Sequence, residues 1–219
     1  EKRYALDAAA ITNPADWGWA GVVENAKVFS VAQDSTGAVY TAGTFSGTID
    51  LDFSASSSEL ISVGADDIFV AKYDSGGTFV WAKQFGSTGR DGANAITIDQ
   101  SDNLRIGGFF EGSVDFDPGV GTETLTSAGA GDGYVLSLDA DGDYLWAGRF
   151  GGVGTGSANG AGDFVGPIAV DGSGNTYVGG VIYQGSGPAV DVEFGTGSTT
   201  VDGSGQQNTI IIKIDTSGN

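Results

Sequence analysis

The chain has 219 residues, of which 40% are hydrophobic, so it can bury a core despite its 39 glycines. Its formal net charge of −19 opposes binding to nucleic acid and to anionic lipid, and favours cations or cationic partners. Cysteine, histidine and methionine are absent, which excludes disulfides, Cys/His zinc sites and any catalytic pair that needs histidine.

The first predicted elements are two short strands joined by a tight turn, and this hairpin occurs three times. In each copy an apolar run ends in an aspartate, at Asp34, Asp99 and Asp171. A turn rich in Ser, Gly and Asn follows, and then a second strand begins. Short apolar runs separated by such residues are typical of β-hairpins.

The later elements also recur in the same order. After a segment with spaced carboxylates and a polar loop comes the most apolar strand, and then a strand that carries tryptophan. Trp19, Trp81 and Trp146 lie 62 and 65 residues apart. We find no pattern that predicts a helix.

Four main strands per repeat, joined by tight turns, predict one antiparallel sheet per repeat. The sequence therefore predicts an all-β fold, and specifically a β-propeller built from four-stranded repeats of about 65 residues. A plain β-sandwich is the alternative. We assign residues 1–26 to the end of a preceding repeat, 27–90 to repeat 1, 91–162 to repeat 2, and 163–219 to repeat 3 without its last strand.

Three repeats are fewer than the four to eight blades of closed propellers. We therefore expect an arc of a larger ring, in a chain that is processed or is a portion of something longer. A second reading pairs the segment 17–23 with the C-terminal strand 210–215, which would close a small or assembled ring.

Pairs of acidic residues form the candidate metal site. Residues two apart in a strand face the same way, and two carboxylates side by side repel unless they are solvated, protonated or bridged by a cation. Oxygen ligands suit Ca²⁺, so we predict one calcium site per repeat. The alternative is a solvated turn whose aspartates accept backbone N–H groups. The candidate ligands are Asp50, Asp52 and Asp67; Asp115, Asp117 and Asp132; and Asp191 and Glu193, with Asn208 as the third group.

Other recurring residues have structural interpretations. Because an aspartate can accept hydrogen bonds from the N–H groups of its own turn, we assign that role to a set of turn aspartates. The tryptophans that recur are expected to pack between blades. Trp17 has no counterpart, and is either an exposed sugar- or protein-contacting aromatic or a cover for an exposed end. The turn aspartates are Asp34, Asp74, Asp139, Asp171 and Asp215.

Three phrases resemble the SBBP-type β-propeller repeats, namely residues 69–83, 114–119 and 175–180. The resemblance implies a β-propeller in a secreted or surface protein of bacteria or archaea. It provides no catalytic residues, because the family has none in common. Arg105 and the segment Val190–Phe194 depart from the family pattern.

These observations predict a non-enzymatic extracellular or cell-surface module that serves as a scaffold or binds a protein or glycan. Its partners would be other domains or copies of the same protein, or a surface glycan or protein, bound through the loops 151–163 and 185–189. Apart from calcium we expect no cofactor, and no apolar run is long enough to span a membrane. The alternatives are a calcium-dependent self-assembling surface or filament protein and a lectin-like, carbohydrate-binding propeller. Repeated acid pairs argue against a glycosidase, which needs one asymmetric pair.

Overall fold

A computed structural model describes residues 18–153, 162–183, 190–201 and 207–219. Within these ranges the fold is all-β, and no helix is present. The strands fall into three successive segments of the chain, which correspond to the three predicted repeats. The strands of the first segment are β1 (Ala26–Gln33), β2 (Val39–Phe45), β3 (Thr48–Asp50), β4 (Glu59–Ile61), β5 (Asp67–Tyr73) and β6 (Phe79–Phe85). The second segment contains β7 (Gly92–Ile98), β8 (Leu104–Phe110), β9 (Ser113–Asp115), β10 (Thr124–Thr126), β11 (Asp132–Leu138) and β12 (Tyr144–Gly151). The third contains β13 (Phe164–Val170), β14 (Thr176–Ile182), β15 (Val190–Phe194), β16 (Gly197–Val201) and β17 (Asn208–Ile214).

The strands pair in the same order in each segment. Sheet 1 has the order β1-β2-β5-β6, and sheet 2 repeats it as β7-β8-β11-β12. Sheet 3 has the order β13-β14-β17, and in the described residues no fourth strand pairs with β17. Two small hairpins, β3–β4 and β9–β10, stand outside these sheets. The third hairpin, β15–β16, extends sheet 2 because β15 pairs with the edge of β12. All these ladders are antiparallel.

The first hairpin of each sheet has a β-bulge at the same place. The register shifts between Val28 and Ser30 in β1, and between Ala93 and Ala95 in β7. The glycine of the partner strand is required there because a Cβ at Gly108 would collide with the Gly92 carbonyl. The repeated bulge gives the hairpins a common local geometry.

The sheets pack face to face. Strand β7 contacts β1 and β2 of sheet 1, and β13 contacts β7 and β8 of sheet 2. Side chains alternate along each central strand, so Val70 of β5 joins the core between sheets 1 and 2 while Phe69 joins a cluster on the other face. Val135 of β11 likewise joins the core between sheets 2 and 3, opposite Leu136. We call these two contacts the first and second junctions.

The antiparallel all-β prediction and the lack of helices are confirmed for the described residues. Within one chain the described part of the segment 17–23 does not pair with the C-terminal strand, and a pairing between copies stays a prediction. Trp17 lies outside the described residues, residues 18–23 form no strand, and β17 pairs with β14. Trp19 packs against Tyr73 of sheet 1, with ring centroids 5.4 Å apart. Closure into a propeller stays a prediction.

Candidate functional site

The first two acidic pairs predicted to bind calcium accept hydrogen bonds within their own loops. Asp50 ends β3 and accepts hydrogen bonds from the N–H groups of Asp52 and Ser58, at 3.0 and 2.9 Å. Asp115 ends β9 and accepts from Asp117 and Glu123, at 3.1 and 2.8 Å. These bonds shape the start of each small hairpin, as the turn interpretation predicts.

The second member of each pair has a similar, more local role. Asp52 accepts from the Ser54 N–H at 2.9 Å, and Asp117 accepts from the Gly119 N–H at 2.8 Å. The third pair differs because both residues lie within β15. There Glu193 pairs with Arg149 at 2.9 Å and thereby ties β15 to β12.

The predicted third ligands are buried at the start of the central strands. Asp67 accepts from the Val63 N–H at 3.0 Å and from the Gln84 amide at 2.7 Å. Asp132 pairs with Arg149 at 2.6 Å. Burial raises the pKa of Asp132 to about 6, although Arg149 acts in the opposite direction.

Each buried carboxylate occupies the space beside a glycine. A Cβ at Gly86 would collide with Asp67, and a Cβ at Gly151 would collide with Asp132. The glycine of the repeated Phe-Gly at the end of β6 and β12 is therefore required by the buried aspartate.

Two further buried carboxylates were not found from the sequence. Asp91 accepts from the N–H groups of Ser87 and Glu111, at 2.6 and 2.9 Å. Asp163 accepts from Gly152 at 3.1 Å and from Tyr183 at 2.6 Å. Both join the loop between two sheets to the end of a second strand.

The electrostatics of these two carboxylates are alike. Burial raises the pKa of Asp91 to about 6, and a weaker contribution comes from the charge of Asp67. Burial also raises the pKa of Asp163 to about 6, with Asp132 as the nearby acid. Each junction thus holds one acid from each sheet close enough to interact.

The part of the chain that the structure describes contains no group of three or more acidic side chains placed to hold a metal ion. The Asp52 N–H donates to the Asp50 carboxylate, so these two residues lie together, whereas Asp67 accepts from the Val63 N–H in a different loop. Asn208 begins β17, as Asp67 begins β5. The calcium site is a prediction without support from these side-chain positions.

The predicted turn aspartates are confirmed as caps of the tight turns. Asp74 accepts from Gly76 and Thr78, at 2.9 and 2.8 Å, and Gly77 takes the left-handed conformation with φ 84°. The same pattern occurs at Asp34, Asp99, Asp139, Asp171 and Asp215.

Each main hairpin adds a bond from the residue six positions after its aspartate. Tyr40 donates to Asp34 at 3.0 Å, and Tyr177 donates to Asp171 at 3.1 Å. At the matching position of sheet 2, Arg105 donates to Asp99 at 2.9 Å. Arg105 therefore makes the hydrogen bond that tyrosine makes in the other two main hairpins.

Arg105 also connects two sheets. Its side chain is 1% exposed, and it donates to Ser137 of β11 at 2.7 Å and to Thr176 of β14 at 3.1 Å. Its guanidinium carbon lies 5.4 Å from the ring centre of Trp146. Among the described residues these partners belong to sheets 2 and 3 and to the turn after β7, which indicates a structural role.

The recurring tryptophans pack on the glycine turns of the following sheet, as predicted. A Cβ at Gly142 would come within 3.1 Å of the Trp81 ring, and one at Gly218 would come within 2.8 Å of Trp146. The Trp81 indole also donates to the Ala140 carbonyl at 3.3 Å. The turn after the third strand of sheet 2 and of sheet 3 is thereby held against the preceding sheet.

A polar contact joins the hairpin turns at the first junction. The Ser35 N–H and hydroxyl donate to Asp102, at 2.9 and 2.6 Å. Asp102 holds φ at 61°, where the sibling turns use glycine. At the second junction Gly174 has this turn position, and a cleft of about 230 Å³ opens between the two turns.

A larger cleft of about 320 Å³ lies at the opposite side of the second junction. Gly131 and Gly162 line it at positions where the first junction has Asp66 and Arg90. Those two side chains form an ion pair at 3.4 Å. The second junction therefore has two glycines, and no ion pair, at this position.

Comparison with known proteins gives no functional assignment. No family model matches the chain, so the SBBP-type resemblance stays a prediction. No curated protein matches it. The chain is similar over 89% of its length to 80% of a protein of unknown function from Bacteroides caccae, solved by crystallography, with 12% identity and a TM-score of 0.26. A TM-score of this size carries no argument about fold or function. In the described ranges, no helix is long and apolar enough to cross a membrane.

Proposed function

We propose that this chain is a non-enzymatic module of an extracellular or cell-surface protein. Its sheets pack in the manner of β-propeller blades and form a rigid scaffold for contacts with proteins or glycans. The observation that carries this proposal is the repeated junction, in which Trp81 packs on Gly142 and Trp146 packs on Gly218. Such repetition builds a radial or linear stack of sheets.

The hydrogen bonds that the buried carboxylates accept support a scaffold rather than an enzyme. Asp67, Asp91, Asp132 and Asp163 each accept hydrogen bonds that hold a loop or a strand end. These bonds recur from one junction to the next. A glycosidase needs two acids in different environments around one substrate cleft, and the repetition supplies the same environment twice.

The scaffold proposal places partner contacts in the loops that differ most between segments, 151–163 and 185–189. Residues 154–161 and 184–189 lie outside the described residues. Loops on a rigid frame are common binding elements because they vary without altering the core.

The experiment is a binding screen of the 219-residue chain against glycan arrays and surface-protein extracts, followed by loop variants. Deletion of residues 154–161, or of residues 185–189, should abolish binding to the identified partner. Both deletions spare Asp163 and its hydrogen bonds to Gly152 and Tyr183, so the thermal unfolding midpoint should stay unchanged. Trp17→Ala is the matched variant for the lectin-like alternative, which predicts loss of glycan binding. Retained binding in both loop deletions would refute the assignment of partner contacts to these loops.

A further inference from the structure

Sheet 3 exposes the face that sheets 1 and 2 bury. Ile211 of β17 is 82% exposed, whereas the matching residues Val70 of β5 and Val135 of β11 are both 0% exposed. These three residues have the same position in their strands. At the first two sheets the following sheet covers this face, and among the described residues nothing covers it on sheet 3.

Sheet 1, at the opposite end of the stack, exposes the face that sheet 2 buries against its preceding sheet. Val28 and Val31 of β1 are 51% and 63% exposed. Ala93 and Ile96 have the matching positions of β7, and they are 0% and 6% exposed because sheet 1 packs against them. Sheet 3 thus exposes the face that packs on a following sheet at a junction, and sheet 1 exposes the face that packs on a preceding sheet.

A polar pair on sheet 3 repeats one that makes a junction. At the first junction Lys72 lies 5.0 Å from the ring centre of Tyr40, and it donates to the Ala140 carbonyl of sheet 2 at 2.9 Å. On sheet 3 Lys213 lies 5.6 Å from the ring centre of Tyr177. This second pair therefore presents the donor that the first junction uses.

Sheet 1 also carries a segment placed like the last strand of a preceding sheet. Trp19 packs on Gly77 as Trp81 packs on Gly142. Val23, four residues after Trp19, packs against the apolar cluster of sheet 1. Sheet 3 is the sheet without a fourth strand in the described residues, so this segment fits beside β17.

We propose that two copies of this chain bind head to tail, with sheet 3 of each copy packed on sheet 1 of the other. The occupant of both exposed faces is thus a second copy, and this inference rests on the proposed blade-like packing. In the contact Lys213 donates to the Ser75 carbonyl of the other copy, which has the turn position of Ala140. A heterologous contact closes into a ring or continues as a filament. Closed propellers have four to eight blades, so three sheets per copy close as a ring of two copies.

Charge sets how this assembly responds to salt. Each copy has a formal net charge of −19, so two copies repel each other at low ionic strength. Screening weakens that repulsion, while the apolar contact persists. Assembly therefore strengthens as salt is raised, and it does not require calcium.

The first test is sedimentation of the 219-residue chain over a range of concentrations, with and without EDTA. The expected mass is about 44 kDa, twice the 22.1 kDa of one chain, in both conditions. Ile211→Lys should weaken assembly by more than about tenfold by placing a charge in the contact. Val120→Lys is the matched control, because Val120 is fully exposed on the hairpin loop between β9 and β10. A single-chain mass at high concentration and salt, or a ladder of larger masses, would overturn the two-copy ring.

The second test uses the absence of cysteine. At the first junction the Ile96 N–H donates to the Ser30 hydroxyl at 3.1 Å, and Pro167 and Val31 have the matching positions at the two ends. Mixed single variants Val31→Cys and Pro167→Cys should form a covalent dimer with a short bis-maleimide, and Val31→Cys with Val120→Cys should not. Equal yields in both mixtures would overturn the proposal.

A Ser35→Cys, Asp102→Cys double variant tests the junction within one chain. Failure of the blade-like packing is thereby distinguishable from failure of assembly between copies.

Discussion

The indole of Trp81 lies against Gly142, so the last strand of sheet 1 holds the last turn of sheet 2. The same relationship joins Trp146 to Gly218, with one difference in hydrogen bonding. Trp81 donates to the Ala140 carbonyl at 3.3 Å, whereas the buried Trp146 Nε1 has no hydrogen-bond partner among the described residues.

This difference predicts unequal effects of the same substitution. Trp81→Phe loses a hydrogen bond and leaves the Ala140 carbonyl with one donor fewer, which costs about 1 kcal/mol beyond the lost packing. Trp146→Phe removes an unpaired donor, so it loses no hydrogen bond; its cost is the lost packing, including part of the ring face over the Arg105 guanidinium. Chemical denaturation should therefore show the larger loss of unfolding free energy for Trp81→Phe. Equal losses in the two variants would contradict the assigned contact.

The buried acids predict that stability falls as pH rises from 5 to 7. The folded pKa of Asp91 is about 6, above the ordinary value of 3.8, so the folded state binds the proton more tightly. The stability from this proton is present below pH 3.8 and is lost as pH rises through 6. Asp163 contributes with the same sign.

The variant Asp91→Asn should flatten this dependence because it removes one titrating group. The measurement is the thermal unfolding midpoint of each protein between pH 5 and 7. Asp171→Asn is the control: hydrogen bonds, first that from Asn175, lower the Asp171 pKa to about 2, so its contribution is lost only in strong acid. An unchanged slope in Asp91→Asn would contradict the raised pKa.

The glycine beside each buried acid predicts a steric effect. Gly86→Ala places a methyl group where the Asp67 carboxylate lies, and overpacking of this kind costs about 1–3 kcal/mol. Gly166→Ala is a mild control, because the nearest atom to its added Cβ is the Gly179 carbonyl oxygen at 3.5 Å. Urea unfolding of both variants measures the difference. A Gly86→Ala protein as stable as the control would place the Asp67 carboxylate elsewhere.

The position of Arg105 predicts a graded series. Arg105→Ala leaves Asp99 without its cation and the buried space unfilled, which costs about 3–5 kcal/mol. Arg105→Tyr can restore the bond to Asp99 that Tyr40 and Tyr177 make in their own hairpins. Denaturation should therefore rank Arg105→Tyr between the wild type and Arg105→Ala. A tyrosine variant less stable than the alanine variant would contradict this equivalence.

The sequence predicted the strands and the turn aspartates because both depend on local patterns. Asp74 and the glycine three residues later specify a tight turn without help from the rest of the fold. The alternation of apolar residues likewise marks strands such as β5 and β11.

The roles of the buried acids depended on contacts between distant segments. Asp91 and Asp163 precede the turn aspartates Asp99 and Asp171 by eight residues, and this common offset was the available signal. Their hydrogen bonds reach residues 20 positions along the chain, which no local spacing specifies. The calcium prediction took Asp50 and Asp67 as one site, whereas they hold separate loops.

The most direct test of the sheet-on-sheet junction is cross-linking of Ser35 to Asp102, whose side-chain oxygens are 2.6 Å apart. The chain has no cysteine, so a Ser35→Cys, Asp102→Cys protein treated with a short bis-maleimide reports this contact alone. Stacked sheets predict an efficient link within one chain, and little link in a Ser35→Cys, Val120→Cys control. Equal linking in the two proteins would contradict the junction on which the scaffold proposal depends.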